Sequence, residues 1–571
     1  MILRQIEQRL QLATLAILPD VDVSTLFIRP CLDRQFGDYQ CNALMGQAKS
    51  RKLNPRQLAT DVLAKLDVSE WCDRVDIAGA GFLNFRLSTA AISRVLESAA
   101  RGEHNFFHTT DRPRTIVIDF SSPNIAKPMH IGHIRSTILG ECLTRTLRLL
   151  GHRVITDNHI GDWGTQFGKL IVGWKSELDR DALRRDAIAE MERLYKSVNA
   201  KCDADPAVIE SARKELVNLQ AGDPENLSIW REMIALSQNQ FDTIYGRLGV
   251  KFDHTYGESF YNPRLKAVVE DLRAKEIVRE SEGAQVAFFD DIPSLKDHPA
   301  IVQKSDGGAN YTTTDLATLE FRLQTWNPDE IVYVTDGRQQ LHFQQLFSIF
   351  RRWYPKTQTR LDHAWFGSIL GEDGKPFKTR SGETVKLADL LNEAEERALT
   401  AVQAKNPDLA EATQREIARI VGLGAVKYAD LLPNRQSDYI FSWDKMLALQ
   451  GNTAPYLQYA YTRVQSIFRK VEFSRADVPS LQMTAPEEQA LARHLLNYGL
   501  AIEAVAGEFR PNYLCNYLYE LAGHFARFYE VCPVLKAADA ERDTRLVLCS
   551  LTARVLRQGL ELLGIEVAEQ M

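Results

Sequence analysis

Two histidines, His130 and His133, flank Ile131 and Gly132. At the start of a helix this spacing puts both imidazoles within one turn and a glycine where a phosphate can approach the backbone closely. Imidazole N–H groups can donate to phosphate oxygens. They can thereby stabilise charge that builds on an α-phosphate as an attacking oxygen enters and pyrophosphate leaves. A zinc pair is one alternative, but zinc would require a third ligand and usually i, i+4 histidines on a formed helix. Neither His152 nor His159 completes such a set. Chance is the other alternative for so short a motif.

The elements around the pair favour the phosphate reading. Thr115-Ile116-Val117-Ile118-Asp119-Phe120 reads as a buried strand, and the spacing of Ile134, Ile138, Cys142 and Leu149 predicts a helix that ends before Gly151. A second strand is expected over 153–157. Strand, loop, helix, strand is a βαβ unit, which implies a parallel sheet with its ligand crevice at the carboxyl ends of the strands. The histidines lie at that crevice. Further strands are expected at 285–289, 330–335 and 365–370, separated from the first pair by a charged, helical stretch from about 170 to about 265. That stretch reads as an insertion.

Bulk properties set the frame. At 571 residues the chain is several domains long, and 45% hydrophobic with 25% charged residues is ordinary soluble composition. Eight cysteines without a Cys-x-x-Cys pair read as reduced thiols in a cytoplasmic protein. No apolar run approaches the roughly 20 residues that span a bilayer, and the N-terminus reads as a domain helix rather than a signal peptide. The net charge of −6 argues mildly against a nucleic-acid partner, but Lys49, Arg51, Lys52 and Arg56 crowd one short stretch. That cluster is a candidate phosphate contact or a solvated face.

The longer run Ser121-Ser122-Pro123-Asn124-Ile125-Ala126-Lys127-Pro128-Met129-His130-Ile131-Gly132-His133-Ile134-Arg135-Ser136-Thr137 resembles the signature of arginyl-tRNA synthetases, a form of the class I HIGH motif. Asp157-Asn158-His159-Ile160-Gly161-Asp162-Trp163-Gly164-Thr165-Gln166-Phe167-Gly168 resembles the family's next block. The resemblance implies an arginine pocket lined by Asp119, Ser122, Pro123, Asn124 and His133. It adds Tyr311 and Asp315 from a Tyr-x-x-x-Asp element, and Gln339, where the doubled Gln339-Gln340 leaves a one-residue ambiguity. Four-residue spacing stacks Tyr311 and Asp315 on one helix face, and Asp315 is the expected guanidinium partner. The bland reading of Asp315 and Gln339 is a cap acid and a surface amide. ATP contacts are expected from His130, Gly132 and His133, with catalysis shared by His130, His133, Lys127 and Lys378. The family's second signature, KMSKS, is degenerate in Gly374-Lys375-Pro376-Phe377-Lys378-Thr379-Arg380-Ser381-Gly382. Lys378 and Arg380 are the phosphate contacts expected there; the alternative is a basic surface turn.

A run from Leu449 to Arg463 resembles the opening of the DALR-type anticodon-binding domain. Its helical pattern buries Leu457, Tyr461, Val464 and Phe468 and leaves Tyr456, Gln458, Tyr459 and Arg463 for other faces. Tyr456, Tyr459 and Arg463 are candidate tRNA contacts by stacking, with structural tyrosines as the alternative. From 430 to 571 acidic residues outnumber basic ones, 17 against 14, so local contacts rather than net charge must do the recognising. Helices are expected over 454–470, 487–508, 514–531 and 544–563.

The expected fold is multidomain α/β. A small N-terminal α+β tRNA-binding domain (1–105) precedes a Rossmann-like parallel-sheet catalytic core with the helical insertion (113–415), and an all-α anticodon-binding bundle (416–571) follows. The resemblance implies a monomeric arginine–tRNA ligase that uses ATP with Mg²⁺ on its phosphates, forms arginyl-adenylate, charges its cognate tRNA, and requires that tRNA for activation. No protein-bound metal is expected. The rival readings are another adenylate-forming synthetase, which would lack the helical region after about 415, and a non-catalytic RNA-binding paralogue, which would be expected to have lost the histidines or pocket acids.

Overall fold

The computed structural model describes residues 1–377, 384–471, 473, 478 and 480–571. Its centre is a five-stranded sheet in the spatial order 360–363, 330–334, 115–120, 153–158, 254–255, with every neighbouring pair parallel. The first strand in sequence, Thr115–Phe120, is therefore central, and the order reverses between it and Glu330–Val334. In such a sheet the ligand crevice opens where the strand order reverses, beyond the carboxyl ends of these two strands.

Side chains alternate across the sheet. Ile116, Ile118, Phe120, Val332 and Val334 join the core under the helix Ile131–Leu149. Gly140 lets that helix lie against the sheet, because a Cβ there would fall 2.2 Å from the Phe120 ring. Val117, Ile155, Ile331 and Tyr333 face the opposite core, with Leu316 and Leu319 of the helix Tyr311–Trp326. Asp119 and Asp157 stand in register on that second face. Arg322 of the same helix, fully buried, reaches Asp119 Oδ2 at 2.7 Å and Asp157 Oδ2 at 2.8 Å.

Between the second and third strands the chain forms five helices, ending in the long Pro224–Leu248. The stretch read as an insertion to about 265 also contains the edge strand His254–Thr255, which pairs with Asp157 and Asn158. The expected strand over 365–370 is shorter than anticipated: only Ile369–Leu370 is extended, paired in parallel with Tyr439–Ile440. The N-terminal residues form a four-stranded antiparallel sheet with helices. This module docks on the C-terminal helices through Asp38 with Arg493 at 2.9 Å and Tyr39 OH with Asn497 Oδ1 at 3.0 Å.

The C-terminal helices are Ala454–Phe468, Pro486–Leu495, Tyr498–Glu508, Asn512–Val531 and Asp539–Leu562. The helix expected over 487–508 is thus two helices. Gln458, read as facing away from the core, is fully buried instead. Its Nε2 donates to the carbonyls of Ile420 (3.2 Å) and Glu566 (2.8 Å), which satisfies the buried amide N–H groups, while Oε1 has no partner among the described residues. Arg135 of the helix Ile131–Leu149 ties the sheet domain to the helices behind it. It pairs with Asp430 at 3.1 Å, both side chains 3% exposed, and donates to Gly367 O at 2.7 Å. Among the described residues no helix is long and apolar enough to cross a membrane.

Candidate active site

Leaving the central strand, the chain turns sharply: Ser121, Ser122 and Ala126 all take positive φ, at 74°, 46° and 59°. For side chains other than glycine such conformations cost energy and persist where surrounding bonds fix them. Here those bonds are in place. Ser121 N donates to Ser136 Oγ (2.8 Å), Ser122 N to Asn158 Oδ1 (3.0 Å), and Ala126 N to Ser237 Oγ (3.1 Å). Tyr245 OH lies 2.8 Å from Ser121 Oγ and accepts from Asn158 Nδ2 at 3.1 Å. Ser237 and Tyr245 both belong to the long helix of the inserted segment, which therefore braces the loop.

The two histidines open the following helix as a reciprocal cap. His130 is the N-cap; its Nδ1 accepts from Gly132 N at 3.1 Å, and His133 Nδ1 accepts from His130 N at 3.0 Å. Imidazoles thus occupy the places that Ser and Glu take in an ordinary capping box. Because each Nδ1 is an acceptor, each neutral ring carries its proton on Nε2. Burial lowers both pKa values, that of His133 to about 3; the charges of Arg338 and Lys127 add to the effect at His130. The rings lie 4.0 Å apart. Gly132 is exposed, but its N–H is committed to His130. A phosphate arriving here therefore meets imidazole N–H rather than the glycine amide.

The segment following the KMSKS-like stretch pairs with this loop. Ile131 N donates to Val385 O (3.0 Å) and Leu387 N to Met129 O (2.8 Å). Lys378 and Arg380 themselves lie outside the described residues. Lys127 is exposed, with Nζ 5.9 Å from the Tyr195 ring. Arg338, at the carboxyl end of strand 330–334 and held to Asp336 at 2.8 Å, is a cation near His130 that the sequence reading did not single out.

A second cluster is acidic. Asp315 Oδ2 accepts from His342 Nε2 at 2.6 Å, while His159 Nε2 stands 4.0 Å from Oδ1. Both ring nitrogens of His159 are buried and unpartnered among the described residues. Glu258 has its pKa raised to about 7 by burial and by the charges of Asp315 and Asp162, against a lowering from His159. Asp162, also raised by burial, accepts from Ser259 N (2.8 Å) and Ser259 Oγ (2.6 Å). Gly257 permits that approach, since a Cβ would fall 2.2 Å from the Asp162 carboxylate. The cluster therefore brings the carboxyl groups of Glu258, Asp315 and Asp162 together, an arrangement suited to a cationic ligand.

The remaining candidates fall as follows. Asp119 accepts from Ser122 Oγ at 3.1 Å and from Arg322, so it is tied to the loop and the core. Pro123 is buried and Asn124 exposed, and the loop pairs with Gly161 through Ile125 N to Gly161 O at 3.0 Å. Tyr311 is 66% exposed, and its ring meets His342 edge-on at 5.0 Å. Gln339 is exposed, whereas Gln340 Nε2 is bonded to Gly337 O at 3.0 Å. Glu258 is the acid of this cluster that the sequence did not single out. It stands three residues after a two-residue strand, His254–Thr255, too short to show alternation, and a Gly-Glu-Ser step after that strand was the available signal. Among the described residues no group of three or more His, Cys, Asp or Glu side chains is arranged to hold a metal ion.

Lys49 and Lys52 are exposed, while Arg51 is paired with Asp20 at 3.0 Å. Arg463 lies over the rings of Tyr459 (5.0 Å) and Tyr529 (5.4 Å), and Tyr456 meets Tyr519 at 5.6 Å. Tyr519 and Tyr529, from the helix Asn512–Val531, complete an exposed aromatic patch that the sequence reading placed on one helix alone.

Three family models match this chain: the N-terminal domain of arginyl tRNA synthetases over residues 2–87, the catalytic domain of class I (R) tRNA synthetases over 94–443, and the DALR anticodon-binding domain over 457–571. A protein of Chromobacterium violaceum named arginine–tRNA ligase is 46% identical over 95% of this chain and 96% of its own. One of the same name from Proteus mirabilis is 47% identical, with 95% of each chain covered. The solved arginyl-tRNA synthetase of Thermus thermophilus superposes with a TM-score of 0.86 at 26% identity over 100% of both chains. That of Plasmodium falciparum gives 0.84 at 28% identity, covering 100% of this chain and 99% of its own. With a catalytic-domain match across most of the chain and near-half identity to these relatives, the chain belongs to the class I arginyl-tRNA synthetases.

Proposed function

We propose that this chain activates L-arginine with ATP and transfers it to the terminal adenosine of its cognate tRNA, releasing AMP and pyrophosphate. The observation that carries the reading is the presence of two groups of side chains around the sheet: Nε2–H donors at His130 and His133, and the acidic cluster of Glu258 and Asp315. The first suits a phosphate and the second a guanidinium.

Glu258 and Asp315 share the guanidinium; Tyr311 covers it. Asn124, Ser122, Pro123, Asp119 and Gln339 form the wall at the α-ammonium and carboxylate end. The arginine carboxylate oxygen attacks the α-phosphorus, a bond to arginine forms, and the bond to pyrophosphate breaks. His130 and His133 donate from Nε2 to the phosphate oxygens as charge builds there, with Gly132 giving ATP room. Lys127, Lys378 and Arg380 hold the leaving pyrophosphate. Mg²⁺ enters with ATP as part of that substrate. The tRNA is held by Lys49, Arg51 and Lys52 at one end and by Tyr456, Tyr459 and Arg463 at the other. The chain works as a monomer in the cytoplasm, where its eight free thiols stay reduced, and arginine activation waits for bound tRNA.

The proposal keeps three domains, at 1–105, 113–415 and 416–571. Charging of total tRNA with each amino acid in turn tests the function. Arginine alone should be attached, and His133→Ala should slow its attachment severely. Tight tRNA binding without charging would instead favour an RNA-binding paralogue.

A further inference from the structure

We infer that His342 is a positioning residue for arginine recognition: its Nε2–H fixes one oxygen of Asp315 so that the other is presented to the substrate guanidinium. The inference rests on the pocket reading above and deepens it.

The geometry is specific. His342 lies in the helix Gln340–Trp353 and Asp315 in the helix Tyr311–Trp326, so their bond at 2.6 Å joins two elements. Both side chains are shielded, 17% and 22% exposed. A carboxylate only accepts, so His342 Nε2 carries the proton in this bond. The hydrogen bond from His342 goes to Asp315 Oδ2, and the His159 Nε2 beside Oδ1 stands beyond hydrogen-bond reach at 4.0 Å. One oxygen is thus anchored and the other is left for a ligand. The same imidazole carries the Tyr311 ring edge-on at 5.0 Å, so it sets two pocket side chains at once. A guanidinium fork is read by the direction as well as the charge of its partner. Without the anchor, the carboxylate would rotate and lose that direction.

A merely structural His342, serving only to tie two helices together, would affect all substrates alike. The test therefore measures KM for arginine, ATP and tRNA in His342→Leu, His342→Gln, Asp315→Asn and Asp315→Asn/His342→Leu, each first shown by thermal melting to be folded. His342→Leu should raise the arginine KM by about tenfold or more and leave those for ATP and tRNA within about twofold. His342→Gln, which keeps an amide donor, should recover much of the loss. On the Asp315→Asn background, His342→Leu should add little, because the interaction is already broken. An unchanged arginine KM in His342→Leu, an equal rise for all three substrates, or a glutamine variant no better than leucine would overturn the inference. An unchanged arginine KM in Asp315→Asn would instead defeat the pocket reading on which it rests.

Discussion

His133 Nδ1 accepts the backbone N–H of His130 at 3.0 Å, so the helix is capped by the imidazoles proposed to meet the phosphate. The bond fixes the tautomer, and burial keeps the ring neutral to about pH 3. Long-range ¹H–¹⁵N spectra should show His133 as the Nε2–H tautomer with no titration between pH 5 and 8. A titration midpoint near 6.5, the ordinary value, would contradict the site as described.

Removing this donor should act on the chemical step. His133→Ala should lower kcat for charging by about 10²–10³-fold, the range seen when one oxyanion donor is deleted. The arginine KM should change little. A rise in KM with kcat preserved would move His133 from the reacting phosphate to ground-state binding.

Arginine binding should depend on pH through Glu258. Its folded pKa is raised to about 7, so the carboxyl is neutral below that value and charged above it. A guanidinium prefers the carboxylate, so the arginine KM should fall as pH rises from 6 to 8. Glu258→Gln should raise the KM and flatten the profile. A variant that keeps the wild-type slope would place the titration elsewhere.

The Arg135–Asp430 pair, at 3.1 Å and 3% exposed on both sides, should be sensitive to loss of one partner. Asp430→Asn leaves a buried cation without its counter-charge and should destabilise the protein by about 3–5 kcal/mol. Urea unfolding checks this; a change below about 1 kcal/mol would show that the pair behaves like a surface one.

The patch of Tyr459, Tyr529 and Arg463 should contribute to tRNA alone. Tyr459→Ala should raise the tRNA KM by about fivefold or more, since each stacked base is worth about 1–3 kcal/mol. The ATP and arginine KM values should be unaffected. Equal rises for all three would mark a folding defect.

The sequence carries much of this. The strand Thr115–Phe120 and the helix after it announced themselves by apolar spacing and by Gly151, and the histidines sat at their junction. What was not legible depended on distant partners. Arg322 drew no attention in the sequence, because its role depends on Asp119 and Asp157 standing in register across two strands. Gln458 reads as a surface amide until the Ile420 and Glu566 carbonyls are seen to receive it. Glu258 follows a strand of two residues, which carries no period, and its significance comes only from Asp315 and Asp162 around it. The tautomer of the histidines required the cap geometry itself.

The most direct measurement is a crystal structure of the protein with L-arginine, its tRNA and a non-hydrolysable ATP analogue. The guanidinium is expected between Glu258 and Asp315, with the α-phosphate oxygens within hydrogen-bond reach of His130 and His133 Nε2. A guanidinium bound elsewhere, or a phosphate that leaves both imidazoles without contact, would contradict the account.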